Sequence, residues 1–136
     1  MTAYEYLNQV YYIDRKIKFD LMELEELRAR ATSISSPSFG EKVKSTAKTE
    51  APFVRVLERI WKQEAKVNAE LNELEAKREE VKSAIERLEN KDERFILLYR
   101  YINRMTWEEI GLEMSMSERT VRRYHRSALG KIVVPA

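Results

Sequence analysis

The sequence predicts an all-α protein: a long N-terminal helical hairpin, paired as an antiparallel coiled coil, followed by a C-terminal helix-turn-helix. Three observations carry this expectation. Among 136 residues there are only 3 Gly and 3 Pro while 35% are charged, a composition suited to long solvated helices. Apolar residues recur at alternating steps of three and four along two long stretches, the pattern of a helical seam. Beyond about residue 90 the helical segments shorten and capping residues become frequent. The expected division is 1–90 for the hairpin and 91–136 for the helix-turn-helix.

The first helix is expected from Ala3 to Ala31, with a seam of Ala3, Tyr6, Val10, Ile13, Ile17, Leu24, Leu27 and Ala31 broken at Asp20. Thr32 to Pro52 reads as a loop. It is rich in Ser and Thr, contains Pro37, Gly40 and Pro52, and has Phe39 and Val43 as its substantial apolar residues. The second helix is expected from Phe53 to about Asn90, roughly 55 Å at 1.5 Å per residue. Its seam is Phe53, Leu57, Ile60, Val67, Leu71, Leu74, Val81, Ile85 and Leu88, with Glu64 and Arg78 in the remaining seam positions. A helix of that length cannot bury its stripe alone. The first helix folding back on it supplies the missing surface, and a second copy of the chain is the other source. Asp20, Glu64 and Arg78 lower stability on the seam but can set register or oligomeric state.

From Arg94 to Ile102 a helix with a broad apolar face is expected, ending at Asn103-Arg104, where Asn can take the left-handed conformation. Thr106 followed three residues later by Glu109 is a capping box that starts the next helix, on which Ile110 and Met114 share a face. Ser115-Met116 forms a tight turn. Ser117 caps a last helix from Glu118 to about Lys131, with Val121, Tyr124, Ala128 and Ile132 inward. Trp107 and Tyr124 are expected in the core, and His125 is expected to project outward beside Arg126, toward a phosphate or idle.

The formal charge of +2 is too small to make the whole chain a polycation, so any nucleic-acid affinity must be local. The last helix is where charge concentrates: Arg119, Arg122, Arg123, Arg126 and Lys131 stand against the single acid Glu118. In a helix-turn-helix the second helix enters the major groove, where Arg can pair with guanine and other cations neutralise phosphates. The expected DNA-binding residues are Thr106, Ser117, Glu118, Arg119, Thr120, Arg122, Arg123, Arg126 and Lys131. No Cys is present, which excludes disulfides and thiolate metal sites and fits a reducing cytoplasm. A single His makes His-based metal cages and His–Cys catalysis poor expectations. The start of the chain lacks the basic and apolar regions of a signal peptide, and no apolar run approaches the length of a membrane span. The acids of Glu70–Glu89 read as a charged helical surface, and Glu79 and Glu80 do not face each other on a helix. With no nucleophile–base pair and no phosphate-binding glycine loop, the expectation is neither an enzyme nor a protein with a metal or cofactor.

Met105 through Ile132 resembles the C-terminal DNA-binding region 4 of bacterial RNA polymerase sigma factors. The likeness lies in Thr106-x-Glu108-Glu109-Ile110-Gly111, Ser117-x-x-x-Val121-Arg122 and Ala128-Leu129-x-Lys131, and Leu98-x-Arg100-Tyr101 extends it to about Arg94. It covers roughly a third of the chain, and no polymerase-binding region 2 is recognisable. With the preceding hairpin and Arg28-Ala29-x-Ala31-Thr32-Ser33-Ile34, the chain is similar to small phage and prophage proteins that include the ArpU/RinA-like late transcription regulators. By position the resemblance assigns base reading to Glu118, Arg119, Thr120, Arg122 and Arg123, and phosphate contact to Thr106, Ser117 and Arg126. It implies as partners double-stranded DNA, RNA polymerase and a second copy paired through the hairpin. The sequence departs from the pattern at Ser115 and Arg104, where Gly is usual, and at Trp107, where Leu is usual. The left-handed turn position must therefore be strained at Ser115, shifted, or carried by a neighbour. The altered reading face also means that the standard promoter preference does not transfer.

The leading expectation is thus a transcription regulator. The alternative is a phage DNA-packaging protein resembling a terminase small subunit. Such proteins put their DNA-binding unit first, whereas here it comes last. A third reading, a scaffold that uses only the coiled coil, would leave the basic helix idle.

Overall fold

The computed structural model describes residues 1–35 and 46–136, with side chains described for 1–34 and 51–136. Among the described residues the chain is helical and has no strand. Helix α1 spans Ala3–Ser35 and α2 spans Thr46–Glu86. Helix α3 (Lys91–Leu97) continues into a π-helical turn over Leu98–Ile102, and α4 (Trp107–Met114) and α5 (Glu118–Lys131) follow. No described helix is long and apolar enough to cross a membrane.

Two expected boundaries move. The segment expected as a loop from Thr32 to Pro52 is helical at both ends, and Pro52 lies inside α2. Thr32 contributes to this on the α1 side: its hydroxyl donates to the Arg28 carbonyl at 3.0 Å, so its polar group is satisfied within the helix. Proline removes one N–H from the helical ladder but does not end the helix here. Phe39 and Val43 lie outside the described residues.

The chain divides into two compact units, one of Met1–Asp14 with Glu73–Ala136 and the other of Arg15–Asn72. The unit that holds the helix-turn-helix is therefore larger than 91–136, since it takes in the start of α1 and the end of α2.

In the unit Arg15–Asn72, α1 and α2 run antiparallel. Leu24, Val56 and Ile60 form its buried cluster, flanked by Leu27, Ala31, Ile34 and Leu57. The break in the α1 seam is real and inward: Asp20 is fully buried. Lys16 reaches it at 3.0 Å and Lys66 at 3.4 Å, and the Gln63 amide donates to its backbone carbonyl at 2.8 Å. Burial alone would raise the Asp20 carboxyl; hydrogen bonding with Glu70 and the two ammonium groups reverse this and hold it low. Burial and then Asp20 raise Glu70. On α2 the seam drifts. Leu71, expected inward, is 45% exposed, and Glu70 turns in to meet the Asp20 cluster. Of the other seam charges, Glu64 accepts from Arg28 at 3.4 Å.

In the other unit the largest buried cluster joins α1 (Tyr6, Leu7, Val10), the end of α2 (Val81, Ala84, Ile85, with Leu88 beyond it), α3 with its π turn (Leu97, Tyr101, Ile102) and α5 (Ala128), with Ile132 beyond its end. A second cluster, Ile96, Ile110 and Val121, lies within the three short helices. Helix α3 thus serves two cores with neighbouring faces. The π turn helps it do so, because one extra residue per turn rotates Tyr101 and Ile102 onto the Leu97 side while Tyr99 packs on the Ile96 side. Arg78, the last seam charge of α2, reaches the Ile102 carbonyl from outside at 3.5 Å.

Candidate nucleic-acid interface

The helix-turn-helix is built from local chemistry. Asn90 caps α3 by accepting from the Glu93 N–H at 3.1 Å. The Thr106 hydroxyl accepts from the Glu109 N–H at 3.1 Å and the Glu109 carboxylate accepts from the Thr106 N–H at 3.4 Å, so the expected capping box is complete. Ser117 caps α5 by accepting from the Thr120 N–H at 3.2 Å, and its hydroxyl lies 2.9 Å from that of Thr120.

Between these caps the chain turns in three residues. Ser115 takes the left-handed conformation itself (φ 55°, ψ 45°), which decides among the options the missing Gly left open. The Ser115 N–H then reaches back to the Leu112 carbonyl at 3.4 Å and the Met116 N–H to that of Gly111 at 2.9 Å, which satisfies the end of α4. Gly111 is needed for close approach: a Cβ there would stand 2.7 Å from the Met116 carbonyl oxygen. At the preceding turn the left-handed residue is Arg104 (φ 62°), whereas Asn103, expected to take that role, is right-handed (φ −88°).

With these ends fixed, Val121, His125 and Ala128 face inward on α5 and Arg119, Arg122, Arg123 and Arg126 face solvent. None of the four arginines has an ion-pair partner among the described residues. Glu118 is exposed and Thr120 half-buried beside its cap. Thr106 and Ser117 are exposed but already engaged as caps. Of the nine expected residues, Thr106 and Ser117 are the N-caps of α4 and α5, Glu118, Arg119, Thr120, Arg122 and Arg123 follow in the first two turns of α5, and Arg126 lies about one turn further on. Lys131 is the last residue of α5, roughly 20 Å from Ser117 at 1.5 Å per residue. Its ammonium lies 3.0 Å from the buried Glu93, which also accepts from Ser127 at 2.8 Å. That contact ties the end of α5 to α3.

His125 is the clearest correction to the sequence reading. It is 8% exposed and does not project outward. Its Nε2 shares a hydrogen bond of 2.7 Å with the Tyr101 hydroxyl, and its ring meets that of Trp107 nearly at right angles, the ring centres 4.6 Å apart. Burial first, then the charge of Arg100, pushes its pKa down to about 4. Burial also raises the Tyr101 hydroxyl well above the ordinary tyrosine range. Trp107 and Tyr124 are half-buried against the Ile96 cluster, as expected of core aromatics at its margin.

The sequence reading missed what Trp107 carries. The guanidinium of Arg100 lies 4.3 Å from the Trp107 ring centre and that of Arg122 lies 5.7 Å from it. Arg100 is held there because it also donates to the Met105 carbonyl at 3.0 Å. Arg104, four residues on, stacks its guanidinium 3.7 Å from the Tyr11 ring centre. The spacing of Arg100 and Arg104 was visible in the sequence; their aromatic partners come from distant segments.

Fold and site together define an all-α chain that ends in a helix-turn-helix with an arginine-rich second helix. The family described as protein of unknown function (DUF1492) matches residues 33–132, and the chain belongs to that family. No curated protein matches the chain, and no solved structure does.

Proposed function

We propose that this protein is a sequence-specific DNA-binding transcription regulator that reads double-stranded DNA with α5. The observation that carries the reading is the outward face of that helix. Four exposed arginines without acidic partners among the described residues project from the second helix of a fully capped helix-turn-helix. Elsewhere in the chain some exposed cations pair with an i,i+4 acid, as Arg30 does with Glu26 on α1. On α5 the cations stand together, the arrangement that gives both phosphate affinity and guanine recognition.

In this reading Arg119, Arg122 and Arg123 meet base edges with Glu118 and Thr120, and Arg126 meets phosphate. The caps Thr106 and Ser117 set the two helix N-termini against the backbone. The protein acts by binding, in the cytoplasm, without catalytic chemistry. The likeness to sigma region 4 and to ArpU/RinA-like regulators supports phage or prophage genes as targets and RNA polymerase as a second partner. A second copy joined through the α1–α2 hairpin would present two reading helices to two half-sites.

Selection of bound sequences from a random duplex library, followed by titration of the winner, tests the proposal. Arg119→Ala is expected to weaken binding by about 1–3 kcal/mol and relax preference at one position. Arg126→Ala should weaken all sequences alike and flatten the salt dependence. If the triple variant R119A/R122A/R123A bound the selected DNA as well as the parent chain, α5 would not be the reading helix.

A further inference from the structure

We propose that the DNA interface continues beyond the helix-turn-helix onto a groove between the start of α1 and the turn before α4. There Arg104 and the α1 tyrosines hold the phosphate backbone that flanks the base-read site. The inference rests on the DNA-binding reading of α5 and adds to it a second contact region on other elements.

The groove encloses about 230 Å³ and is lined by Tyr4, Tyr11, Tyr12, Arg100 and Arg104, among others. Its chemistry is that of an anion site with aromatic walls. Tyr4 is 56% and Tyr12 66% exposed, so large rings with hydroxyl donors stand in solvent where a soluble helix would ordinarily carry charge. Arg104 is exposed, has no ion pair among the described residues, and is held in place by the Tyr11 ring. It also occupies a left-handed backbone position that Gly would fill without strain. A strained arginine, stacked and left without an acid, is a charge kept in one place for an external anion.

Continuity selects the anion. Arg100 lines this groove and also lies over Trp107. Trp107 in turn carries Arg122, and Trp107, Arg122 and Arg126 line the adjoining hollow on the α5 side. Arg100 and Trp107 therefore link the hollow lined by Arg122 and Arg126 to the groove lined by Arg100 and Arg104, while the first turn of α4 also carries the exposed acids Glu108 and Glu109. A nucleic-acid strand that followed these residues from α5 would reach the groove. Guanidinium and phenol groups bind phosphate oxygens and do not read base edges, so the groove adds affinity and register and leaves sequence preference to α5.

The test uses the full chain and the duplex selected above. Arg104→Gly removes the charge and relieves the backbone, so the variant is expected to fold, with a thermal transition no lower than the parent. It should lower the slope of log affinity against log salt by about 1, so that raising salt from about 50 to 200 mM weakens the variant roughly threefold less. Arg104→Lys should retain the slope. The Tyr4→Phe/Tyr12→Phe pair, which keeps the rings, should weaken binding by about two- to tenfold. Hydroxyl-radical footprinting should show backbone protection outside the base-read site that R104G loses. If R104G kept both the parental slope and the parental flank protection while R119A/R122A/R123A abolished binding, this proposal would fail and the α5 reading would stand. That same result is the one expected if the groove served an acidic protein segment. Failure of the parent chain to bind any duplex would overturn the α5 reading itself.

Discussion

Acidification should loosen α5 through one residue. His125 sits behind α5 with its ring against Trp107 and its Nε2 on the Tyr101 hydroxyl, and its pKa in the folded chain is pushed down to about 4 from 6.5. The hydrogen bond does not cause the shift, because a protonated ring could still donate to the phenol oxygen. Burial does, reinforced by Arg100. Below pH 6.5 the unfolded chain takes up a proton that the folded chain refuses, so this contribution is full above about pH 6.5. It declines as the pH falls and levels off below about 4, where both states are protonated. The whole gap corresponds to about 3 kcal/mol at 1.36 kcal/mol per tenfold change, of which about 2 kcal/mol is lost between pH 7.5 and 5. Asp20 and Glu80, whose carboxyls are held low, lose their own contributions only nearer their acid range; Glu70, whose carboxyl is raised, acts with the opposite sign and equally in parent and His125 variant, so the difference between the two chains isolates His125.

Two measurements check this. The chain has one histidine, so its imidazole proton resonance is unambiguous, and it should titrate far below 6.5 in the folded protein. Urea unfolding should be followed by Trp107 fluorescence in a Trp61→Phe background, which is mild because Trp61 is 61% exposed. It should show the fall of about 2 kcal/mol between pH 7.5 and 5. The His125→Gln variant keeps a polar group toward Tyr101 and cannot titrate there, so it should lack this fall relative to the parent over that range. A folded-state titration near 6.5, or parallel stability curves for parent and variant, would refute the buried assignment of His125.

Gly111→Ala should destabilise by about 1–2 kcal/mol, since the overpacking against the Met116 carbonyl outweighs the gain in helix propensity; chemical denaturation measures it. Ser115→Gly should stabilise by about 0.5–1 kcal/mol, because it releases the left-handed strain at φ 55° and gives part of that back in chain entropy; a lower melting temperature would contradict it. Asp20→Asn should destabilise the unit Arg15–Asn72 by about 1–3 kcal/mol, because a fully buried carboxylate loses its charge-assisted bonds to Lys16 and Lys66; hydrogen exchange of α1 amides should locate the loss there.

The local chemistry of the site was legible in the sequence because caps act over three residues. Thr106 with Glu109, and Ser117 before Glu118, announce helix starts whatever surrounds them. The inward face of α5 was partly legible. Val121, His125, Ala128 and Ile132 are spaced by four, three and four, so His125 lay on the buried stripe; the arginines beside it made it look solvated. What justifies burying it is Tyr101, which is 24 positions away and belongs to a π turn with no sequence signature. The ends of α1 and α2 were hidden for the opposite reason. Ser, Thr and Pro compete with helix locally, and tertiary context overrides that preference. The drift of Leu71 out of the seam follows from Asp20 drawing Glu70 inward, a pairing between residues 50 positions apart.

These details bear on how α5 is held. Its front carries the unpaired arginines, while its back contacts two cores through Val121 on one side and Ala128 on the other. Its end is pinned by Lys131 on buried Glu93. Lys131, counted among the DNA-binding residues on charge alone, therefore has a positioning role that its partner defines. The larger of the two cores also contains Leu7 and Val10 of α1 and Val81 and Ile85 of α2. Within that unit α5 is thus set by the hairpin ends as much as by its own turn. A core is discretely packed and not freely deformable, so a change that repacks Leu7 or Ile85 is transmitted to Ala128 and hence to the direction in which Arg119, Arg122 and Arg123 project. The N-terminal residues of α1 thus have two roles within that unit: Leu7 and Val10 pack in the core that holds α5, and Tyr4 and Tyr12 line the groove beside Arg104.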